Sequence, residues 1–184
     1  MKSLKEYLVP TVTLFVICLA ATFLLGLTNS VTAPIIEELA VETEMKSRQI
    51  VFADAVSFGE EVVLADGTSV VAALDESGAE IGHVVVNIAK GYGGDISIMT
   101  GVDSEGKVTG INILSHSETA GLGAKATEQS FRDMFIGLVE GITVSKDKAG
   151  ENSIDALTGA TITSRAVVNA VNAAIEAAGG VNVG

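Results

Sequence analysis

The amino-acid sequence predicts an α+β protein, with one N-terminal transmembrane helix followed by one domain built from an antiparallel sheet and flanking helices. Residues 8–27 form an uncharged run of twenty residues. Between residues 60 and 114, β-branched runs with a period of two alternate with turn signals. Residues 166–178 place apolar side chains at helical spacing. The predicted boundaries are 1–30 for the N-terminus and anchor, 31–58 for a connecting helix and 59–184 for the domain.

The uncharged run is long enough to cross a membrane as a helix. At 1.5 Å per residue it extends about 30 Å, the thickness of a hydrocarbon core. A cleaved signal peptide is the alternative, but Pro34 would follow the cut and the apolar run exceeds a usual signal-peptide core. We therefore expect an uncleaved anchor that contacts membrane lipid through residues 8–27. Lys2 and Lys5 precede it, which predicts a cytoplasmic N-terminus and an extracytoplasmic domain at the cell membrane.

Composition excludes several classes of function. The formal net charge of −12 argues against a nucleic-acid-binding surface. A single cysteine excludes an internal disulfide framework, a cysteine-ligated zinc site and a protein-ligated iron–sulfur cluster. The two histidines, His83 and His116, have no evident carboxylate cluster beside them, so we expect no metal site. The mean hydropathy of +0.47 agrees with a membrane segment.

The pattern after the anchor predicts an antiparallel meander with helices laid on one side. Pro34 is expected to open the connecting helix, which continues to about residue 52. Turn signals such as Asp66-Gly67 separate the strand patterns. A short amphipathic helix and a last strand are expected before the final helix, at residues 126–138 and 142–145. The five predicted meander strands lie at residues 62–64, 69–74, 81–89, 95–101 and 107–114.

Two loops rich in small residues are candidate sites. The loop at 155–165 carries several hydroxyl side chains and opens the final helix near Thr163, where free N–H groups and the helix dipole favour a phosphate. An ordinary helix cap would use the same residue types. The second loop, 115–123, follows the fifth strand and places His116 and Glu118 beside glycines. The sequence contains no nucleophile elbow, Walker A motif or Rossmann glycine fingerprint.

Three motifs occur together in a fixed order. They are Gly-Tyr-Gly-Gly-Asp-Ile at 91–96, His-Ser-Glu-Thr-Ala-Gly-Leu-Gly at 116–123 and Asp-Ala-Leu-Thr-Gly-Ala-Thr at 155–161. With the single anchor, they closely resemble the FMN-binding domain of the G-subunit of the Rnf ion-translocating electron-transport complex and of the C-subunit of the sodium-translocating NADH:quinone reductase. The resemblance covers residues 8–178, and the modest length is more similar to the Rnf protein.

The resemblance implies a covalent FMN cofactor. In that family the FMN phosphate is esterified to the last threonine of the third motif, which is Thr161 here. A flavin transferase attaches it and reads the upstream aspartate, here Asp155. A departure is Ala120, where the family often has proline, and Arg165 is a candidate counter-charge for the phosphate. Further cofactor-binding candidates are Thr158, Gly159, Ala160 and Thr163 near the attachment point, and Glu118, Thr119 and Leu122 near the flavin ring or ribityl chain.

The function implied by the resemblance is that of a redox subunit in a ferredoxin- and NAD-linked ion-translocating oxidoreductase of the Rnf type. We expect no independent catalytic turnover and no catalytic residue of its own. The implied partners are the other membrane and peripheral Rnf subunits, and the flavin transferase during maturation. Two alternatives stay open at this point. One is a stand-alone membrane-anchored flavin carrier, and the other is a non-redox anchored binding or sensing module whose threonine-rich loop only caps a helix.

Overall fold

The computed structural model describes residues 4–148 and 150–181. The chain divides into two compact units, one ending at Glu44 and the other beginning at Met45. Helix α1 runs from Leu4 to Val51, so its last turns belong to the second unit. Its segment Leu8–Ala33 has a mean hydropathy of 2.5 and is long and apolar enough to cross a membrane.

The connecting helix is not a separate element, because α1 continues through Pro34 without interruption. A proline inside a helix removes one backbone hydrogen bond, and here this loss does not end the helix. The helix ends at Val51, and the Phe52 N–H donates to the carbonyl of Arg48 at 2.9 Å.

The second unit contains the predicted antiparallel meander of five strands in chain order. The α+β class and the strand order are therefore confirmed. The first strand begins five residues earlier than its pattern indicated, because its register shifts between Phe58 and Glu61 and interrupts the period of two. The strands are β1 (Ser57–Val63), β2 (Ser69–Leu74), β3 (Glu80–Lys90), β4 (Asp95–Asp103) and β5 (Val108–Ser115).

Both faces of the sheet are covered, although the sequence indicated helices on one side only. Helix α3 (Thr161–Val181) packs on one face, where Val85, Ile96 and Val167 are among the core residues. The end of α1 and the turn after it pack on the other face. The physical reason is that consecutive residues of the central strands are apolar, so that each face needs a cover. The second core includes Val51, Phe52, Ala55, Ala73, Val84 and Met99.

Because of this second core, the folded domain begins closer to the N-terminus than the sequence pattern indicated. The predicted start at residue 59 left Val51, Phe52 and Ala55 outside the domain. All three are almost completely buried, and the Thr109 hydroxyl donates to the Val51 carbonyl at 2.5 Å. The structure accordingly divides the chain before Met45.

The helix predicted at 126–138 is replaced by three short pieces. A 3₁₀ turn at Gly123–Thr127 precedes helix α2 (Gln129–Arg132), and a second 3₁₀ turn follows at Asp133–Phe135. Extended backbone at Glu128 separates the first two pieces. The apolar spacing still has a structural role, because the rings of Phe131 and Phe135 pack edge to face at 5.5 Å in the core.

A short parallel pair completes the domain. Strand β6 (Thr143–Val144) lies within the predicted last strand, and it pairs with β7 (Ser153–Ile154), which was not predicted. Two residues are too few to give a recognisable period. Since parallel strands end at the same edge, the residues after β6 and those after β7 become neighbours.

Candidate functional site

A cleft of about 460 Å³ opens where four segments of the domain meet. The segments are the turn after β3, the loop after β5, the residues after β6, and the start of α3 with the turn before it. The paired ends of β3 and β4, with Lys90 opposite Asp95, fix the position of the turn that joins them. The residues that line the cleft are Tyr92, Glu118, Thr119, Leu122, Gly123, Lys146, Gly159, Ala160, Thr161, Ile162 and Thr163.

The turn before α3 sets the position of Thr161. The Ala160 N–H donates to the Leu157 carbonyl at 3.0 Å, and Gly159 adopts a φ of +78°, which favours glycine. The buried Ser164 hydroxyl accepts a hydrogen bond from the Leu157 N–H at 2.9 Å. It donates a hydrogen bond to the Ala160 carbonyl at 3.0 Å. These bonds tie the turn to the helix. Helix α3 therefore begins at Thr161, two residues before the predicted start, and the half-buried Thr161 lines the cleft.

Two sources of positive potential lie at Thr161. The first is the N-terminus of the 21-residue helix α3, where the dipole and the first backbone N–H groups favour an anion. The second is Lys146, whose Nζ lies 3.4 Å from Thr161 Oγ1. The sequence suggested Arg165 as counter-charge, but Arg165 forms a two-point ion pair with Asp147, with Nε to Oδ2 at 2.8 Å and Nη2 to Oδ1 at 2.5 Å. Lys146 is thus the basic side chain that contacts Thr161, while Arg165 is paired with Asp147.

Glu118 is a largely buried carboxylate in the wall of the cleft, with an exposed fraction of 9%. Its Oε1 accepts from the Gly93 N–H at 2.9 Å, and its Oε2 accepts from the Thr163 hydroxyl at 2.7 Å. Burial raises the pKa of Glu118, but the hydrogen bonds from Thr163, Gly93 and Tyr92, together with the charge of His116, outweigh burial and hold that pKa below its ordinary value. Glu118 is therefore ionised at neutral pH.

Glycines leave the space that this carboxylate occupies. A Cβ atom at Gly91 would overlap Glu118 Oε1, and one at Gly123 would overlap Oε2. A Cβ atom at Gly93 would overlap the Ser117 carbonyl oxygen. The glycines of the first two sequence motifs therefore allow the two loops to close around one side chain.

Two of the predicted site residues lie outside the cleft lining. Asp155 is exposed at the end of β7, and its Oδ1 accepts from the Ser145 hydroxyl at 2.6 Å. Thr158 lies on the turn before α3, also outside the lining. The structure brings the other predicted residues together in the cleft, namely Glu118, Thr119, Leu122, Gly159, Ala160, Thr161 and Thr163.

Sequence reasoning missed four residues of the lining. Tyr92 and Gly123 lie inside motifs that had been noticed, and Ile162 follows the third motif, so each could have been found by extending those motifs. Lys146 had no such signal, because its position depends on the two-residue parallel pair. Among residues 4–148 and 150–181, no group of three or more His, Cys, Asp or Glu side chains could hold a metal ion.

Residues 91–176 match the family model described as FMN-binding domain. The matched segment includes every residue that lines the cleft. A similar fold occurs in the crystal structure of the C-subunit of a Na⁺-translocating NADH-quinone reductase from Parabacteroides distasonis, with a TM-score of 0.50, 23% identity and 59% of each chain covered. The part of the chain that carries the cleft thus matches the FMN-binding domain, on a fold similar to that of this C-subunit.

Curated relatives define the family more narrowly. The chain is 34% identical to the G-subunit of a proton-translocating ferredoxin:NAD⁺ oxidoreductase complex from Clostridium ljungdahlii, with 90% of this chain and 88% of the relative covered. It is 37% identical to the G-subunit of the Na⁺-translocating complex of the same kind from Acetobacterium woodii, with 89% and 87% covered. The chain belongs to the G-subunit family of Rnf-type ion-translocating oxidoreductase complexes, which confirms the resemblance drawn from the three motifs.

Proposed function

We propose that this chain is an electron-carrying subunit of a membrane-bound ion-translocating oxidoreductase, with FMN attached through its phosphate to Thr161. The observation that carries the proposal is the placement of one half-buried threonine hydroxyl at the start of α3, in a cleft and beside Lys146. Family membership supports the redox role, and this geometry supports the attachment point.

The residues of the cleft fit the chemistry of FMN. The start of α3 and Lys146 would hold the phosphate, whose remaining negative charge they complement. Tyr92, Leu122 and Ile162 offer exposed apolar surface for a flat aromatic ring, and Tyr92 is 72% exposed. A cleft of about 460 Å³ falls in the range of small-molecule sites. When bound, FMN supplies the electron-transfer chemistry, while the protein binds and orients it.

The attachment is a phosphoryl transfer to Thr161 Oγ1. With a flavin dinucleotide such as FAD as the donor, a bond forms between this oxygen and the FMN phosphorus, the hydroxyl proton passes to solvent, and the phosphoanhydride bond breaks to release a nucleoside monophosphate. Counted against free FMN, the product carries one FMN and has lost one water. Asp155 is exposed beside this segment, where a flavin transferase could read it. We therefore propose Asp155 as part of the recognition sequence of that transferase.

We further propose that the domain is anchored by α1 and lies outside the cytoplasm. Lys2 and Lys5 precede the apolar segment Leu8–Ala33, and glutamates at positions 37, 38, 42 and 44 follow it. The domain would exchange electrons with redox centres of other subunits of the complex. By analogy with the ferredoxin:NAD⁺ relatives, those centres would connect ferredoxin and NAD, and the isolated chain would have no turnover of its own.

Intact-mass measurement tests the proposal. The full-length chain, co-expressed with a flavin transferase, should gain one FMN less one water and keep flavin fluorescence after denaturation. Thr161→Val removes the hydroxyl while keeping the side-chain shape, so it should gain no FMN. Thr127→Val is the matched control, because Thr127 is exposed and lies outside both the cleft lining and the third motif, and it should still be modified. Fluorescence in denatured Thr161→Val would place the linkage elsewhere.

A further inference from the structure

Glu118 connects two parts of the site that are far apart in sequence. The bond from Gly93 joins it to the turn after β3, and the bond from Thr163 joins it to the first turn of α3. We propose that Glu118 is a positioning residue, whose buried carboxylate fixes the start of α3 against residues 91–94 and so aims Thr161 into the cleft, without itself contacting FMN. This inference rests on the proposed attachment of FMN at Thr161 and assigns a role to a residue beside that site.

Both carboxylate oxygens of Glu118 accept hydrogen bonds from the protein itself. Each of its oxygens accepts a hydrogen bond from a different segment, and only 9% of Glu118 is exposed. Its own backbone is also held, since the Glu118 N–H donates to His116 Nδ1 at 3.1 Å. A side chain with both oxygens bonded and little exposed surface is better suited to holding the loops than to binding a ligand.

Helical geometry explains how this contact reaches Thr161. Successive residues of an α-helix are rotated by about 100°, so Thr161 and Thr163 point to nearly opposite sides of the first turn of α3. Thr163 is 1% exposed and faces Glu118, whereas Thr161 is half-buried and lines the cleft. Because Glu118 holds the Thr163 side chain, the rotation of this turn about the helix axis is fixed. The direction of the Thr161 hydroxyl is fixed with it.

Close packing makes the contact specific to this side chain. A Cβ atom at Gly91 or Gly123 would overlap the carboxylate oxygens of Glu118. Removing the carboxylate would leave the Gly93 N–H and the buried Thr163 hydroxyl without this acceptor, and an unsatisfied buried donor is costly. We therefore expect the turn at 91–94 and the start of α3 to loosen together.

The conservative variant Glu118→Gln distinguishes a positioning role of Glu118 from a role that requires its negative charge. In Glu118→Gln, the amide oxygen can accept from the Gly93 N–H while the amide NH₂ donates to Thr163 Oγ1, because a hydroxyl both donates and accepts. Glu118→Ala can do neither. Thr163→Val keeps the shape of Thr163 but removes the hydroxyl. Glu128→Gln is the matched control, since Glu128 is exposed at the start of α2 and outside the cleft lining.

The experiment measures two quantities on the detergent-solubilised full-length chain. The first is the rate of FMN attachment by the flavin transferase, followed by intact mass. The second is amide hydrogen exchange of peptides covering residues 91–94 and 157–164. We expect Glu118→Ala and Thr163→Val to slow attachment and to speed exchange in both peptides by at least about tenfold, which corresponds to one lost buried hydrogen bond. Glu118→Gln should stay within about threefold of the wild type, and Glu128→Gln should match it.

The double variant Glu118→Ala/Thr163→Val should be no slower than Glu118→Ala alone, because Glu118→Ala already removes the contact between Glu118 and Thr163. Unchanged exchange in Glu118→Ala would overturn the proposal. So would a Glu118→Gln that attaches FMN as slowly as Glu118→Ala while Thr163→Val is normal, since that pattern indicates direct contact of the charge with flavin or transferase. If the wild type accepts no FMN, the proposed function fails, and the exchange measurement still decides the role of Glu118.

Discussion

At Thr161, one hydroxyl oxygen lies beside the start of a helix and 3.4 Å from the ammonium nitrogen of Lys146. Both carry positive potential, and the phosphodiester proposed at this oxygen carries a negative charge. The helix contribution is built into the backbone and cannot be removed by substituting a side chain. The contribution of Lys146 can be removed, so its effect can be measured separately.

Lys146→Gln should slow the attachment of FMN without unfolding the domain. The contact of Lys146 with Thr161 is exposed, so the lost attraction is screened by water and should amount to about 1 kcal/mol, or about a fivefold lower rate. The rate of mass gain checks this prediction. A higher salt concentration should reduce the difference in attachment rate between Lys146→Gln and the wild type. Lys148→Gln makes the same charge change outside the cleft lining and should leave the rate unaltered. Equal slowing in both variants would point to net charge instead of a local contact.

The ionised state of Glu118 should make stability depend on pH. Its pKa in the folded domain lies below the ordinary value of 4.5, so the ionised form contributes stability that is fully present above about pH 4.5. This contribution is lost as the pH falls through the lower folded value. Urea unfolding at several pH values should therefore show the wild type more stable than Glu118→Gln at pH 6, with the difference shrinking below pH 4.5. A difference that stays constant with pH would contradict this ionisation.

At the scale of elements, two glycines allow the end of α1 to dock on the sheet. Gly101 of β4 and Gly110 of β5 are paired neighbours, and both lie against Val51. A Cβ atom at Gly101 would overlap the Val51 carbonyl and the Thr109 hydroxyl, which are bonded to each other. The backbone of α1 can approach the strands this closely only where they carry no side chain on that face.

Gly101→Ala should therefore destabilise the domain by about 1–3 kcal/mol, since the added methyl group must push apart a packed helix end and strand. Chemical denaturation of the full-length chain measures this free energy of unfolding. Gly150→Ala serves as the control, because a Cβ atom there meets open space, and its unfolding free energy should be close to that of the wild type. An undiminished stability of Gly101→Ala would mean that the helix end can move away at little cost.

The elements also differ in how well the sequence predicted them. The meander was readable because Asp66-Gly67 and the similar turns interrupt long period-two segments, and α3 was readable from its apolar spacing. Strand β7 was missed, since two residues carry no period and its partner β6 lies ten residues away. Lys146 was missed for the same reason. The cover over the second face of the sheet depends on Gly101 and Gly110 together, and their pairing is visible only in three dimensions.

At the scale of the whole molecule, charge is distributed unevenly along the chain. The apolar segment Leu8–Ala33 contains no charged residue, and only Lys2, Lys5 and Glu6 precede it, so the acidic excess behind the net charge of −12 lies in the sequence that follows. The positive-inside rule concerns the residues next to the span, and here it favours a cytoplasmic N-terminus.

A pair of reporter fusions after Gly184 checks this orientation. We expect a reporter that is active only after export to be active, and one that is active only in the cytoplasm to be inactive. Lys2→Glu/Lys5→Glu should reduce the exported fraction, because the charge bias across the span is then lost. An active cytoplasmic reporter on the unaltered chain would place the flavin site on the inner side and would require a different path for electrons.

The burial of Val51, Phe52 and Ala55 determines how the domain could be prepared without the apolar segment Leu8–Ala33. A fragment cut at residue 59, as the period-two pattern suggested, would expose one face of the sheet to water and invite aggregation. A fragment that starts at Met45 would retain the last turns of α1 as the cover for that face. The choice between these two cut sites should decide whether the water-soluble fragment stays monomeric for spectroscopy and electrochemistry.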